Sequence, residues 1–192
     1  MRLAIFDYGA GNLHSLNKAL QAPGVIVSVE TDPLRLLSAD AMILPGVGAF
    51  GAAAARLAPA RAEIAAALSA GLPCLGICLG LQLLFESSEE SPGAPGLGII
   101  SGQVRRLRAS RVPHIGWNTV DWGQRGAPSV AYFAHSYACR PHDEAVVTAW
   151  TVEGEDRFPS AVRWRNVVGV QFHPEKSSAP GVCFLQDFLG AV

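Results

Sequence analysis

The stretch CLGICLGLQ, residues 74–82, decides the fold and contains the first candidate for chemistry. Cys74–Ile77 is a short apolar run that predicts a buried strand, and Leu79–Phe85 predicts the helix that follows it. Cys78 stands between two glycines at the junction, the pattern of a nucleophile elbow with cysteine in place of serine. The helix N-terminus favours a thiolate there. The alternative is that Cys78 is only a small buried residue in a glycine-rich turn; the flanking glycines favour the nucleophile.

Strand and helix patterns alternate around this stretch. Apolar runs predict strands at Arg2–Phe6, Val25–Val29, Ala41–Leu44 and Cys74–Ile77. Ala52–Ala70 predicts a helix that Pro59 kinks or restarts. Strands that are apolar throughout are typical of a parallel sheet covered on both faces, so the sequence predicts an α/β fold.

The second half of the chain has a different pattern. Short strands are predicted at Gln103–Leu107, Thr119–Trp122, Ala131–His135, Val146–Trp150, Ala161–Trp164 and Val167–Phe172, with a last helix at about Gly181–Leu189. They predict an antiparallel or mixed sheet added to the parallel core. Ser87–Gly98, rich in serine, glycine and proline, predicts a surface loop.

Composition excludes several classes of protein. Hydrophobic residues make up 49% and charged residues 16% of the 192 residues, which excludes a disordered chain. A formal net charge of −1 gives no bulk attraction to nucleic acid or an anionic membrane. Ile64–Phe85 has no charged residue, but its glycines and proline argue against a membrane span. The length suits one domain over residues 1–192. We expect a reducing, cytoplasmic compartment, because the N-terminus has no signal-peptide pattern and the four cysteines are then expected to be free thiols.

A thiolate nucleophile needs a base, and His173 is the best candidate. It lies in QFHPE, residues 171–175, at the end of a predicted strand. Pro174 favours an extended residue 173, and alternate residues of an extended chain point to the same side. We therefore expect Glu175 to orient one ring nitrogen of His173 while the other faces Cys78. Without Cys78, a surface His-Pro-Glu turn would be the better interpretation.

Acyl transfer also needs donors for an oxyanion. The Leu79 N–H, directly after the nucleophile, is one candidate. The turn Pro45-Gly46-Val47-Gly48 follows another predicted strand and can present free N–H groups, although it is equally compatible with an ordinary strand-to-helix turn. The spacing of the cysteines and histidines does not predict a metal site.

The elbow and the distant His-Pro-Glu together resemble the class I (triad) glutamine amidotransferases. Five further segments make the resemblance more specific: they are similar to the glutaminase subunits of imidazole glycerol phosphate synthases. This resemblance covers nearly the whole chain. These segments are DYGAGNL (7–13), PGVGAF (45–50), PHIGWN (113–118), YFAHSY (132–137) and QFHPEKS (171–177). The resemblance implies a three-layer, flavodoxin-like α/β fold, forming a single amidotransferase domain.

The resemblance implies that L-glutamine is hydrolysed to glutamate and ammonia through a glutamyl thioester, without a cofactor. The ammonia would pass to a (β/α)8-barrel cyclase subunit, in a heterodimer that makes imidazole glycerol phosphate and aminoimidazole carboxamide ribotide in histidine biosynthesis. The roles implied by position are catalysis for Cys78, His173 and Glu175; oxyanion stabilisation for Gly46, Val47, Gly48 and Leu79; glutamine binding for Gln82, His135, Ser136 and Tyr137; and the partner face for Asn12, Tyr132 and Lys176.

Several alternatives stay open on sequence alone. Gln82 is as compatible with an exposed helix position as with a substrate contact. The chain could serve another synthase, such as anthranilate, aminodeoxychorismate or pyridoxal phosphate synthase, although segments 7–13 and 132–137 argue against this. It could also be a non-catalytic scaffold, which the intact Cys78, His173 and Glu175 argue against.

Overall fold

A seven-stranded sheet forms the centre of the computed structural model, which describes residues 1–9, 13–46, 48–123 and 128–192. The strands are β1 (Arg2–Phe6), β2 (Ile26–Glu30), β3 (Ala41–Leu44), β4 (Cys74–Ile77), β5 (Ser87–Ser88), β6 (Gly102–Arg106), β7 (His114–Thr119), β8 (Val130–His135), β9 (Tyr137–Pro141), β10 (Val147–Glu153), β11 (Asp156–Trp164) and β12 (Val167–Val170). The α-helices are α1 (His14–Ala19), α2 (Phe50–Leu57), α3 (Arg61–Ser69), α4 (Leu79–Leu83) and α5 (Ser178–Gly190). Short 3-10 helices are Pro33–Ser38, Ala58–Ala60, Glu144–Val146 and Pro174–Lys176.

The order in the central sheet is β10-β11-β12-β4-β3-β1-β2, and the five strands from β12 to β2 are parallel. All four residues of β3 and of β4 are buried, as are the last four of β1. The apolar core lies on both faces of this sheet: one cluster includes residues of α2, α3 and α4, the other residues of α1 and α5. The predicted parallel sheet with two covered faces is confirmed.

The antiparallel and mixed strands that the sequence predicted in the second half are confirmed, and they are divided among three sheets. β10 and β11 join the central sheet as antiparallel strands at its edge. The remaining short strands form a three-stranded sheet, β5-β6-β9, and the hairpin β7-β8. The strand predicted at Thr119–Trp122 is wrong: β7 ends at Thr119, and beyond it Asp121 makes only an isolated bridge to Trp150. The sequence did not predict β5, β7 or β9.

The prediction that Pro59 kinks or restarts the helix over Ala52–Ala70 is confirmed, because a 3-10 helix at Pro59 separates α2 from α3. The stretch Ser87–Gly98 is not simply a surface loop, because it caps α2. The Glu90 carboxylate accepts the Phe50 N–H at 2.7 Å and the Ser91 hydroxyl accepts the Gly51 N–H at 3.0 Å. The loop thus satisfies backbone donors that the helix leaves unpaired.

The topology brings three strand ends together. β12, β4 and β3 are neighbours and run in the same direction, so the turns at their carboxyl ends meet at one edge of the sheet. Such an edge is where open parallel sheets bind ligands. Within the described residues, none of the helices has the length and hydropathy needed to span a membrane.

Candidate active site

Cys78 lies on a strained turn between β4 and α4. Its φ of 48° and ψ of −103° are unusual for a residue with a side chain, and its N–H donates to the Val170 carbonyl at 2.7 Å. The turn is tight because Gly80 packs directly on β3: a Cβ atom there would overlap the Leu44 carbonyl. The close approach of helix and strand thus fixes the sulfur at the edge of the sheet, as expected of a nucleophile elbow.

His173 and Glu175 are brought together as the sequence predicted, but by a different backbone. His173 is extended, with φ −101° and ψ 95°, whereas Pro174–Lys176 is a 3-10 helix. The expectation of a continuous extended chain is therefore wrong, because the proline begins a helical turn. The turn still places the Glu175 Oε1 2.8 Å from His173 Nδ1, and both side chains are largely buried.

The electrostatics of His173 favour its protonated form. Burial alone lowers the pKa of His173, but the charge of Cys78, its hydrogen bond to the ring and the Glu175 carboxylate outweigh burial and raise the pKa to about 10. At neutral pH the ring is therefore a cation between the sulfur and the carboxylate. An imidazolium in this position stabilises a thiolate and holds a proton for a leaving group.

Gly46 lies in direct contact with this pair. A Cβ atom at residue 46 would be 2.8 Å from the Cys78 Cβ and 2.9 Å from the His173 Cε1. Gly46, Gly48 and Leu79 line the same cleft as Cys78, so the structure brings these predicted oxyanion residues to the nucleophile. Val47, the fourth, lies outside the described residues.

The cleft has a volume of about 320 Å³. The four residues that the resemblance assigned to glutamine binding all line it: Gln82, His135, Ser136 and Tyr137. Gln82 is 5% exposed, so its interpretation as an exposed helix residue is wrong. Its Nε2 donates to the Tyr137 carbonyl at 3.0 Å and to Gln171 Oε1 at 3.3 Å, which leaves the amide oxygen as the group it can offer to a ligand.

His135 continues this hydrogen-bonded network away from the cleft. Its Nδ1 is 2.9 Å from the Tyr137 carbonyl, and its Nε2 is 3.0 Å from Nδ1 of the buried His114. Burial lowers the pKa of His135 to about 3, so the ring is neutral. Because a carbonyl only accepts, His135 carries its proton on Nδ1 and accepts the His114 N–H on Nε2.

Sequence reasoning missed two groups at the sulfur. Gln171 is completely buried, and its Nε2 lies 3.4 Å from the Cys78 Sγ. The Ala134 carbonyl lies 3.9 Å from the same atom. The signal for Gln171 was a polar residue directly after the apolar run of a predicted strand. Nothing in the sequence marked a backbone carbonyl.

The predicted partner residues lie beside the triad. Tyr132 accepts the His173 N–H on its carbonyl at 2.8 Å, and Lys176 Nζ is 6.0 Å from the centre of the Tyr132 ring. Ile115 and Trp117 on the neighbouring strand β7 are 63% and 54% exposed, and Ile115 also lines the cleft. Asn12, the third predicted partner residue, lies outside the described residues. In the described part of the chain, no group of His, Cys, Asp and Glu is placed to hold a metal ion.

Comparisons with known proteins identify the family and the fold. The family model "Glutamine amidotransferase class-I" matches residues 4–191. The HisH subunit of imidazole glycerol phosphate synthase from Pyrococcus furiosus is 47% identical over 97% of both chains, and that of Microcystis aeruginosa is 43% identical over 99% of this chain and 95% of the relative. A solved glutamine amidotransferase superimposes with a TM-score of 0.78, at 22% identity over 98% of both chains. PurLQS from Thermotoga maritima superimposes with a TM-score of 0.73, at 20% identity over 99% of this chain and 98% of the other. These two structures show the shared fold.

The chain belongs to the class I glutamine amidotransferases, as its fold and the elbow cysteine with its histidine and glutamate indicate. Within that class it is a member of the family of HisH subunits of imidazole glycerol phosphate synthase.

Proposed function

We propose that Cys78, His173 and Glu175 hydrolyse L-glutamine to L-glutamate and ammonia in the cleft at the carboxyl ends of β3, β4 and β12. One observation carries the proposal: a cysteine on a strained elbow and a buried histidine meet at Gly46, and the histidine pairs with Glu175 at 2.8 Å. A nucleophile, a base and an orienting carboxylate in contact are the minimal set for acyl transfer by a covalent route.

The first half of the reaction forms a thioester. The Cys78 thiolate attacks the side-chain amide carbon of glutamine, and the carbonyl electrons move to oxygen. The Leu79 N–H and the turn of residues 46–48 stabilise this oxyanion. His173 donates its proton to the amide nitrogen, the C–N bond breaks, and ammonia leaves a glutamyl thioester on Cys78.

The second half releases glutamate. The neutral His173 now accepts a proton from water, and the hydroxide attacks the thioester carbonyl. This proton transfer restores the imidazolium, and collapse of the second tetrahedral intermediate then expels the Cys78 thiolate. The new carboxyl group releases its proton to solvent and leaves as glutamate. Glu175 holds the ring in one orientation through both halves, since its Oε1 bonds Nδ1 and leaves Nε2 for the sulfur.

The residues that would select the substrate line the cleft beside the triad. Gln82 presents an amide oxygen that suits the ammonium of an amino acid, and the segment His135–Tyr137 forms the side facing it. A cleft of about 320 Å³ has room for one glutamine. The pocket therefore fits a small zwitterion with a carboxamide side chain.

The ammonia is used by a partner in this proposal. The relatives are named as subunits of a synthase, and we assign a (β/α)8-barrel cyclase as the other subunit of a heterodimer in the cytoplasm. Tyr132 and Lys176 lie beside the triad, and Ile115 and Trp117 form an exposed apolar surface at the rim of the cleft, which suits a docking face. The cytoplasmic placement is supported by four free cysteines.

The test is glutamate release from L-glutamine by the protein alone and by its complex with the cyclase subunit loaded with its ribotide ligand. We expect strong stimulation by the loaded partner and complete loss in Cys78→Ala. Glutaminase activity that the loaded cyclase subunit does not change would assign the same chemistry to another synthase. No glutamate under either condition would overturn the proposal in favour of a non-catalytic subunit.

A further inference from the structure

Gln171 contacts the reacting sulfur and has no part in the mechanism above. It follows the last residue of β12, it is completely buried, and its backbone N–H donates to the Ser160 carbonyl at 2.9 Å. Its side chain extends to the elbow, where Nε2 lies 3.4 Å from the Cys78 Sγ. Burying a side-chain amide without hydrogen bonds destabilises the fold, so the hydrogen-bond partners of Gln171 indicate its role.

The backbone carbonyl of Tyr137 determines which way the side-chain amides of Gln82 and Gln171 are oriented. The Tyr137 oxygen can only accept, so Gln82 must turn its NH2 group toward it. The same NH2 group lies 3.3 Å from Gln171, which must therefore present its Oε1 there. Gln171 is left with its own NH2 group facing Cys78. The reversed amide would place two NH2 groups against each other and an oxygen against the sulfur.

We infer that Gln171 is a further catalytic residue, whose N–H donates a hydrogen bond to the Cys78 sulfur and stabilises the thiolate before attack. A sulfur with formal negative charge accepts more strongly than a thiol, so the bond favours the charged form. The bond also holds the side chain of Cys78 in one rotamer. This assignment rests on Cys78 being the nucleophile of the proposed function.

Other titratable groups act on the same sulfur, and a test must separate them. His173 faces it from the turn after β12, and Cys139 interacts with it electrostatically from β9. His135, on β8, interacts with His173 and is neutral. Only His173 among these is a cation. Its pairing with Glu175 does not involve Gln171, so a change at residue 171 leaves that hydrogen bond in place.

The decisive variant is Gln171→Glu, which preserves size and the acceptor for Gln82 but replaces the donor at the sulfur by a carboxylate oxygen. The experiment is alkylation of the whole protein by iodoacetamide between pH 5 and 10, with the Cys78 peptide quantified by mass spectrometry. Cys183, which is exposed on α5, supplies an internal rate standard, whereas burial raises the pKa of Cys74 and Cys139 and keeps both slow. We expect the midpoint of the Cys78 profile to rise by about one pH unit or more, and its rate below the midpoint to fall about tenfold.

Gln103→Glu is the matched control, because it makes the same change on β6, at an exposed position outside the cleft, and should leave both profiles unchanged. Gln171→Met is the second variant, since it fills the space without a donor or a charge. It should shift the Cys78 profile in the same direction, by a smaller amount. Parental midpoints in either folded variant would overturn the inference and leave Gln171 with a packing role.

Glutamate release in the loaded complex separates this inference from the proposed function. If the parent protein turns over glutamine and Gln171→Glu loses turnover number with little change in KM, both stand. If the parent does not turn over glutamine but the alkylation midpoint still shifts, the contact at the sulfur stands and the proposed function fails.

Discussion

Replacing Gly46 by alanine should disable the site while leaving most of the fold intact. The new methyl group would sit 2.8 Å from the Cys78 Cβ and 2.9 Å from the His173 Cε1. Carbon atoms in ordinary contact are about 3.5–4.0 Å apart, so the three groups must separate by more than half an ångström. The backbone of residue 46 is not in the left-handed region that favours glycine, so the penalty is steric.

The two consequences of this crowding have different sizes. Overpacking of a well-packed interior costs about 1–3 kcal/mol, which a domain of this size can survive. A displacement of roughly 1 Å between reacting groups costs about 100-fold in rate. We therefore expect Gly46→Ala to reduce kcat/KM for glutamine by about 10- to 100-fold in the loaded complex, with a loss of about 1–2 kcal/mol in the free energy of unfolding.

The assays are glutamate release and urea unfolding monitored by tryptophan fluorescence. Gly190→Ala is the control, because its Cβ would meet nothing within 4 Å at the end of α5. Alanine there should keep full activity and add up to about 1 kcal/mol of stability from helix propensity. Parental turnover in Gly46→Ala would refute the reasoning, since it would show that the cysteine and histidine tolerate the separation.

Three more predictions concern charge, the core and the partner. Protonated His173, whose pKa is raised from 6.5 to about 10, stabilises the fold at low pH, and this contribution is lost as pH rises from 6.5 towards 10. Glu175→Gln should make the loss smaller and complete at lower pH, as measured by urea unfolding across that range. Arg140→Met should cost about 2 kcal/mol in unfolding free energy, because Arg140 bonds both oxygens of the buried Asp156 carboxylate, at 2.8 Å and 2.6 Å. Trp117→Ala should leave the thermal midpoint unchanged and weaken binding of the cyclase subunit about tenfold or more in titration calorimetry.

Each of these has a contradicting result, and the substitutions of Arg140 and Trp117 also have matched control variants. Identical pH dependence of stability in Glu175→Gln and the parent would exclude the proposed charge pairing. Arg35→Met removes an exposed arginine and should cost little; an equal cost at both positions would show that the pair with Asp156 adds nothing. Ile26→Ala, 69% exposed on β2, should not affect the partner, and an unchanged affinity in Trp117→Ala would move the docking face elsewhere.

The parallel core was predictable because its strands are buried on both faces and therefore apolar without interruption. β1, β3 and β4 are found where those runs predicted them. The strands of the second half are short and partly exposed, so their pattern says little about which neighbour they pair with. In β7 the half-buried positions that alternate with exposed ones are Gly116 and Asn118, which are not apolar, and β9 contains Arg140 and Pro141, so neither sequence has a strong strand pattern. Tertiary contacts decide their partners.

The candidate site divides in the same way. The elbow at Cys78 and the His173–Glu175 pair involve residues close together in the chain, so the sequence predicted both, although it predicted the wrong backbone for the pair. The contact of Gln171 with the sulfur joins residues 93 positions apart and depends on β12 lying next to β4. The burial of Gln82 likewise depends on the segment at Tyr137 packing over α4. Such contacts follow from topology, which the spacing of residues does not reveal.

The two walls of the cleft differ in how far they can be redesigned. One is made of backbone and glycines: Gly46 touches the reacting pair, and beneath the elbow Gly80 packs on β3 so closely that no side chain fits. Random libraries at these positions would return mostly inactive or unfolded proteins. The other wall consists of side chains on the hairpin end and at the start of β9, where Ser136 and Tyr137 are only partly buried. An enzyme engineer seeking to admit a different amide should vary that wall and leave the glycines untouched.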